Sequence, residues 1–376
     1  MAAPYLQRTS WRYMFPPSSR PHGCHAQAIG AIWTARVALR SLASDAHTPH
    51  CHNGNQAKGC DNETNLKQGA KPLRAFMLTL ERSIGKRAGL DNELWATGLF
   101  DAGVVPDLPV DAHKGAVDKE DHPKEPQLQW LVGRGQGAHT QRGRIQSVAA
   151  QMRSESTLRS LLQSAQSGCS EDPPLTGILV VSGTGHLKSA AADQARHPSR
   201  DSFWLLKEAR SMQEQGLLSS AVRICAVENP LVETSADRLA RKVDCGAEVI
   251  FTQPPLAWQP FEHWLNDADK LGLLGTVQVV VGLPMVTSSQ NFSFWSKLCE
   301  ADGLAAVEET AAKLSCTGDA QPEAEADLFL KWNRDLISKV QSLNGIAGMH
   351  VMPLSKEAHR MTMSMLADGS LKKPDM

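Results

Sequence analysis

The stretch 247–253, A-E-V-I-F-T-Q, gives the clearest strand signal in this chain of 376 residues. Its centre is a continuous run of β-branched and aromatic residues, which is typical of a strand that is buried on both faces. Gly246 before it is suited to end a helix, and Pro254-Pro255 after it stops further strand pairing. A polar amide, Gln253, therefore stands at the end of a core strand.

Similar apolar runs recur along the chain after Pro72 and number eight. They occupy residues 75–81, 128–133, 147–152, 177–182, 221–227, 247–253, 277–282 and 347–352. Most of the segments between them carry apolar residues at helical spacing. Buried strands that alternate with such helices predict a parallel sheet covered on both faces, and a count of eight predicts a closed (β/α)8 TIM barrel. An open, doubly wound sheet is the alternative.

Three of the intervening helices are clear from their apolar faces and from the glycines that close them. These sets are Leu239 and Val243 with Gly246; Phe261, Trp264, Leu265, Ala268 and Leu271 with Gly272; and Leu336, Val340 and Leu343 with Gly345. Thr234 and Asp237 add a capping-box pattern at the start of the first helix. We expect all three stripes to pack onto the sheet.

The N-terminal segment differs in composition from the rest of the chain. Residues 1–44 contain five arginines and no Asp or Glu, which is typical of an organellar transit peptide; a disordered basic tail is the alternative. Residues 45–72 read as a polar linker, and residues 73–370 as one barrel domain with a polar, Pro-rich insertion at about 99–127. The predicted destination is the mitochondrion, with the chloroplast as the alternative.

Composition disfavours several classes of partner. The sequence contains no run of about 18 apolar residues, which is the length that a membrane-spanning helix needs. Without the leader, the chain keeps 34 of its 39 basic residues and all 40 acidic ones, so its net charge is negative. A negative net charge disfavours binding to the phosphates of nucleic acid. The eight cysteines lack zinc-ribbon spacing, and the cluster of His47, His50, Cys51, His52 and Cys60 lies in the linker, so no metal site is predicted.

In a barrel, side chains at the C-terminal ends of the strands are the ones available for chemistry. These candidates are Glu81, Gln151, residues 182–186, Glu228, Asn229, Thr252, Gln253, residues 282–284 and His350. The glycine run at 133–137 lacks the Lys-Ser/Thr of a phosphate-binding P-loop and reads as a turn. From the residues alone, the chain is a barrel enzyme or a binding protein derived from one.

A family resemblance narrows this reading. Residues 241–253, R-K-V-D-C-G-A-E-V-I-F-T-Q, resemble the segment K-V-x-A-G-A-x-x-x-x-T-Q of methylenetetrahydrofolate reductases. Four other stretches agree with that family in order and spacing over roughly residues 75–366. They are 78–81 (L-T-L-E, for the S-F-E strand), 178–184 (I-L-V-V-S-G-T, for I-L-A-L-R-G-D), 281–286 (V-G-L-P-M-V, for P-G-I-x-P-I) and 348–355 (G-M-H-V-M-P-L-S, for G-x-H-x-y-T-L-N).

The resemblance implies a barrel that binds FAD at its C-terminal face, takes electrons from NAD(P)H and reduces 5,10-methylenetetrahydrofolate to 5-methyltetrahydrofolate. It implies that Glu81 is the acid that assists opening of the folate imidazolidine ring, and that Gln253 binds the pterin. The implied cofactor-binding residues are Ser182, Gly183, Thr184, Asn229 and Lys242, with Lys242 near the flavin diphosphate.

The chain also departs from the family pattern. Ser182 and Thr184 replace the Arg and Asp of R-G-D, residues 229–232 read N-P-L-V instead of H-P-E-A, and Ile84-Gly85 replaces a double proline. Loss of a catalytic carboxylate commonly slows a reaction by orders of magnitude. The alternative function is therefore an impaired or inactive barrel that serves as a folate or flavin binder, or as a subunit of an organellar complex. A homo-oligomer is possible, and the family's C-terminal regulatory domain is not expected.

Overall fold

The structure is a computed structural model, and it describes residues 76–83, 89–107, 142–150, 154–166, 174–182, 201–233, 235–315 and 322–374. The strands are β1 Met77–Glu81, β2 Ala102–Val105, β3 Gly143–Ala149, β4 Leu175–Val181, β5 Arg223–Glu228, β6 Val249–Thr252, β7 Gln278–Leu283 and β8 Ile346–Val351. Each strand pairs in parallel with the next, and β8 pairs with β1, so the sheet closes. This confirms the predicted (β/α)8 barrel and excludes the open sheet.

Helices follow most of the strands. Within the described ranges they are α1 Asn92–Ala96, α2 Glu155–Gln166, α3 Ser202–Glu214, α4 Asp237–Asp244, α5 Trp258–Lys270, α6 Ser289–Leu298, α7 Ala305–Leu314, α8 Pro322–Ser342 and α9 Lys356–Ala367, with a 3-10 turn at Leu273–Gly275. Side-chain caps begin four of them, since Ser154, Asp201, Ser288 and Ser355 each accept a hydrogen bond from a backbone N–H three residues on. None of the helices in these ranges is long and apolar enough to cross a membrane.

Successive residues of each strand alternate between two hydrophobic layers. On β6, Ile250 packs in the layer beneath the helices, whereas Val249 and Phe251 belong to the interior of the barrel. The barrel interior is mostly apolar, and Thr79, Glu81 and His350 bring polar groups into it. Neighbouring strands approach closely there: a Cβ atom at Gly348 would lie 2.3 Å from the carbonyl oxygen of Met77.

The helices α6 and α7 form an extra segment between β7 and α8, which we call the α6–α7 segment. Its buried residues include Phe292, Trp295, Cys299 and Val307, and they share one hydrophobic cluster with interior residues of the barrel such as Phe251. The segment therefore packs against the C-terminal end of the barrel, which we call the barrel mouth.

The prediction of the second strand was wrong. Residues 128–133 lie outside the described residues, and β2 is Ala102–Val105, within the predicted insertion at 99–127. This strand is four residues long and contains Gly103, where a Cβ atom would come within 2.9 Å of the Arg82 side chain. The third strand begins earlier than predicted, because the buried Arg144 and Gln146 interrupt its apolar pattern.

The first strand and the fourth to eighth strands agree with the predicted ranges to within a few residues. Of the predicted helices, α5 and α8 bury most of their expected stripes, but Leu271 follows the end of α5 and is 51% exposed. Thr234 of the predicted capping box lies outside the described residues, and α4 begins after Ala236 without a side-chain cap. Gly246 does close α4 with a φ of 104°. The leader and the linker lie outside the described residues.

Candidate active site at the barrel mouth

Glu81, His350 and Thr79 form a buried chain of polar contacts. Thr79 and Glu81 lie two residues apart on β1, so both face the interior, and Thr79 is the register partner of His350 on β8. The imidazole Nε2 lies 3.1 Å from Oε2 of Glu81, and Nδ1 lies 2.9 Å from Oγ1 of Thr79. All three side chains are buried.

The Thr79 hydroxyl extends this chain to the backbone. Its Oγ1 also lies 3.4 Å from the carbonyl oxygen of Met349, and the imidazole tautomer decides whether the hydroxyl proton goes to that carbonyl or to Nδ1 of His350. The contact at Nε2 holds one proton between His350 and Glu81.

Gln253 also faces the barrel interior. The ring of Phe251, two residues earlier, packs edge-on against the His350 ring, with the ring centroids 5.5 Å apart. The Gln253 backbone N–H donates to the Glu228 carbonyl at 2.7 Å, which continues the hydrogen bonding between β5 and β6. Its side-chain Oε1 accepts from the Cys299 thiol at 3.6 Å. Its Nε2 is buried and has no hydrogen-bond partner among the described residues. Such an orphaned donor costs free energy, and a ligand that presents an acceptor would relieve it.

Asn229 anchors the α6–α7 segment instead of facing a ligand. Its Nδ2 donates to the Cys299 carbonyl at 2.7 Å, and its Oδ1 accepts from the Leu231 backbone N–H at 3.3 Å. Both ends of this buried amide are therefore used within the protein.

Lys242 lies outside the barrel interior. It belongs to the inner face of α4, and its Nζ lies 2.6 Å from Oε1 of Glu228, with the Val227 carbonyl as a second partner. Glu228 alternates with the interior residue Val227, so its side chain points out toward the helices. Burial lowers the pKa of the Lys242 ammonium, and the charge of Glu228 opposes that shift. The pair is a buried ionic contact between β5 and α4.

The described residues of the implied flavin site do not fit a flavin. Asn229 and Lys242 are buried and engaged within the protein, and the Ser182 hydroxyl donates to that of Ser202 at 2.9 Å. Gly183 and Thr184 lie outside the described residues. Lys242, the one lysine that the resemblance assigns to the diphosphate, pairs with Glu228 instead.

Other candidates from the sequence are dispersed. Gln151 lies outside the described residues, and Thr252 faces away from the interior, where its hydroxyl accepts from the Gly282 N–H at 3.3 Å. Reasoning from sequence missed Thr79 and Cys299. Thr79 could have been found, since it precedes Glu81 by two residues on one strand; Cys299 carries no such signal. Among the described residues, no three His, Cys, Asp or Glu side chains come together as metal ligands.

A separate cleft of about 240 Å³ lies between α6 and α7, lined by residues that include Phe292, Lys297 and Asp302. It is formed by the α6–α7 segment and by Phe329 of α8, and neither Glu81 nor Gln253 lines it. The cleft is therefore distinct from the polar groups of the barrel mouth.

Neither a protein-family model nor a curated protein sequence matches the chain. Among solved structures, it is similar to 2,3-dimethylmalate lyase, a member of the PEP mutase/isocitrate lyase superfamily, at 11% identity over 81% of this chain and 86% of the lyase, with a TM-score of 0.36. It is also similar to the xylanase and alpha-amylase inhibitor protein XAIP-II from Scadoxus multiflorus, at 12% identity over 78% of this chain and 99% of the inhibitor, with a TM-score of 0.36. These distant likenesses carry no functional argument.

Proposed function

We propose that the chain is a methylenetetrahydrofolate reductase-like barrel that binds a reduced folate at its mouth and exchanges a proton with the folate's one-carbon bridge. The observation that carries the proposal is the buried Nε2 of Gln253, which has no partner among the described residues although it faces the barrel interior. A pterin offers carbonyl and ring-nitrogen acceptors to such a donor. The resemblance of residues 241–253 to the family's folate-binding strand points to the same ligand.

Glu81 is the proton donor in this proposal. The 5,10-methylene bridge opens when one of its two nitrogens takes a proton from the Glu81 carboxyl and its bond to the bridging carbon breaks. The lone pair of the other nitrogen then forms the C=N bond of an iminium ion. The Glu81 carboxylate that remains lies opposite the His350 imidazole, which is oriented by Thr79, and the reverse transfer closes the ring.

The first test is direct binding. Titration of the full chain with 5-methyltetrahydrofolate and tetrahydrofolate, followed by calorimetry, should give saturable binding. Gln253→Leu keeps the side-chain size and removes the amide, so it should weaken binding at least tenfold, whereas Gln215→Leu, at an exposed glutamine, should not change it. Absence of binding by the wild-type chain refutes the proposal.

The second test follows ring opening. The iminium hydrolyses to formaldehyde, so enzyme-promoted opening exchanges the bridging carbon of 5,10-methylenetetrahydrofolate with labelled formaldehyde. Glu81→Gln should lower the exchange above the spontaneous rate by about 10² or more, the usual contribution of a general acid, and leave tetrahydrofolate binding within a few-fold. Equal exchange by both proteins would show that Glu81 is not the acid.

A second candidate is the full FAD-dependent reductase with NAD(P)H as reductant. It is supported by the resemblance of residues 241–253 and of four other stretches to that family, in order and spacing. The discriminating measurement is the absorption spectrum of the purified chain with and without added FAD. Flavin uptake together with NAD(P)H-dependent formation of 5-methyltetrahydrofolate supports this candidate, and a colourless chain that takes up no FAD excludes it.

The acid-free leader supports import into the mitochondrion as part of the same proposal. A fluorescent protein fused to residues 1–44 should locate to mitochondria. A diffuse signal contradicts that assignment, and a plastid signal favours the alternative.

A further inference from the structure

The cleft between α6 and α7 has an apolar floor. The floor is formed by four buried residues, Phe292 of α6, Val307 and Leu314 of α7, and Phe329 of α8. At about 240 Å³ the cleft has room for about eight water molecules, since each occupies about 30 Å³ in the liquid. Apolar walls offer water no hydrogen bonds, so a small molecule with an apolar group would displace that water favourably.

Two opposite charges lie at one end of the cleft. Lys297 is in the last turn of α6, and Asp302 is in the short connection to α7, so both stand where the two helices meet. Both residues are exposed, and neither forms an ion pair with another described residue. Glu308, a second carboxylate of the cleft, already accepts a hydrogen bond from the Gly303 N–H at 3.2 Å. Lys297 and Asp302 are therefore available to a ligand as one ammonium and one carboxylate group.

We propose that this cleft binds a free α-amino acid with an aromatic or large aliphatic side chain. The ligand carboxylate pairs with the Lys297 ammonium, and the ligand ammonium group pairs with the Asp302 carboxylate. The ligand side chain packs against Phe292 and Phe329. A zwitterion matches both charges, whereas an amine or an acid alone leaves one of them unpaired. The polar groups of the barrel mouth do not line the cleft, so this site is independent of the proposed folate site.

The test uses four probes that differ in charge or in the apolar group. L-phenylalanine carries both charges and a ring, phenethylamine lacks the carboxylate, 3-phenylpropanoate lacks the ammonium group, and free glycine lacks the ring. Calorimetric titration of the full chain should give a dissociation constant of about 1 mM or below for L-phenylalanine, as expected for a ligand of this size. The two singly charged probes should bind about fivefold more weakly or worse, and glycine should give no saturable binding.

Two variants assign each charge of the ligand to its partner. Lys297→Met removes the ammonium group, so this variant should bind L-phenylalanine no more tightly than phenethylamine. Asp302→Asn removes the carboxylate charge, so here L-phenylalanine should lose its advantage over 3-phenylpropanoate. Lys313→Met, at an exposed lysine of α7 that does not line the cleft, should leave all four affinities unchanged. Each comparison is a ratio within one protein, so partial unfolding of a variant does not alter it.

A methyl signal reports whether the probe lies in the cleft. Ala311 is on α7 and lines the cleft, whereas Ala240 is on α4 and does not. In methyl-labelled protein, the two signals are assigned by their loss in Ala311→Ser and Ala240→Ser. Addition of L-phenylalanine should shift the Ala311 signal along the calorimetric saturation curve and leave the Ala240 signal in place.

Three results would overturn the proposal. If the wild type does not bind L-phenylalanine, the cleft is not an amino-acid site. If L-phenylalanine binds but the Ala311 signal does not move, the ligand lies elsewhere on the protein. If phenethylamine or 3-phenylpropanoate binds as tightly as L-phenylalanine, the cleft does not select a zwitterion. The folate site is tested with other ligands and through Gln253, so its success or failure is separate.

Discussion

Replacing Lys242 by methionine should strongly destabilise the barrel. Methionine keeps an unbranched apolar side chain in place, so the packing around the helix α4 changes little, but the Glu228 carboxylate loses its cation. The side chains of Lys242 and Glu228 are 2% and 0% exposed, so water cannot replace the lost partner. Removing one partner of a buried ion pair typically costs about 3–5 kcal/mol, and we expect a loss of that size.

The controls separate the ion pair from general damage. Lys313 forms a 2.7 Å ion pair with Glu309, and both side chains are more than half exposed. Lys313→Met should therefore cost only about 0.5 kcal/mol. The double variant Lys242→Met with Glu228→Met replaces the whole buried pair by apolar groups and should return to within about 1–2 kcal/mol of the wild type.

The assay is equilibrium unfolding in urea, with the free energy of unfolding compared at equal m-values. A loss below about 1 kcal/mol for Lys242→Met, or a double variant as unstable as the sum of the two single variants, refutes the structural role of this lysine. If Lys242 instead binds the flavin diphosphate, Lys242→Met should leave the free energy of unfolding unchanged and lower FAD uptake.

Three further changes test other contacts by the same unfolding assay. Gly282→Ala places a Cβ atom 2.5 Å from the Thr252 carbonyl oxygen and should cost about 1–3 kcal/mol, while Gly275→Ala, which meets nothing within 4 Å, should be near neutral; equal effects would refute the close approach. Asn333→Leu should cost about 2 kcal/mol or more, because Asn333 bonds both the N–H and the carbonyl of the buried Val286, and a loss below 0.5 kcal/mol would contradict this. Burial, and then the charge of Glu228, raises the pKa of Glu233 above 4.5. A carboxyl of this kind stabilises the fold fully below its unfolded pKa and loses that contribution as the pH rises through the folded pKa. Glu233→Gln should therefore gain stability relative to the wild type as the pH is raised from 4.5 toward neutrality, and a relative loss would contradict the assignment.

The barrel could be predicted because most of its strands are continuous apolar runs. The strand β6 was found from Val249, Ile250 and Phe251 alone, since burial on both faces leaves no polar residue in the pattern. The strand β2 could not be found in this way, because Ala102–Val105 is short and its identity depends on pairing with β1 and β3. The periodic pattern contains no information on such pairing.

The site was only partly predictable. The positions of Glu81 and Gln253 at strand ends follow from the strand pattern, and so does the interior position of Thr79. The contact of Cys299 with Gln253 joins residues 46 apart in sequence, and it exists only because the α6–α7 segment packs against the barrel mouth. The partner of Lys242 could have been inferred: Leu239 and Lys242 share the inner face of α4, and Glu228 shares the outward face of β5 with Ala226.

The ion pair of Lys242 also sets a limit on flavin binding by this chain. To reach a diphosphate, Lys242 would have to leave Glu228. The buried carboxylate would then lack its cation, at a cost of about 3 kcal/mol or more. Each 1.4 kcal/mol weakens an equilibrium tenfold, so this step alone would reduce FAD affinity by about two orders of magnitude. Asn229 would likewise have to release the Cys299 carbonyl, and Cys299 is itself in contact with Gln253. Both contacts therefore disfavour a flavin held by the residues that the family resemblance assigns to it.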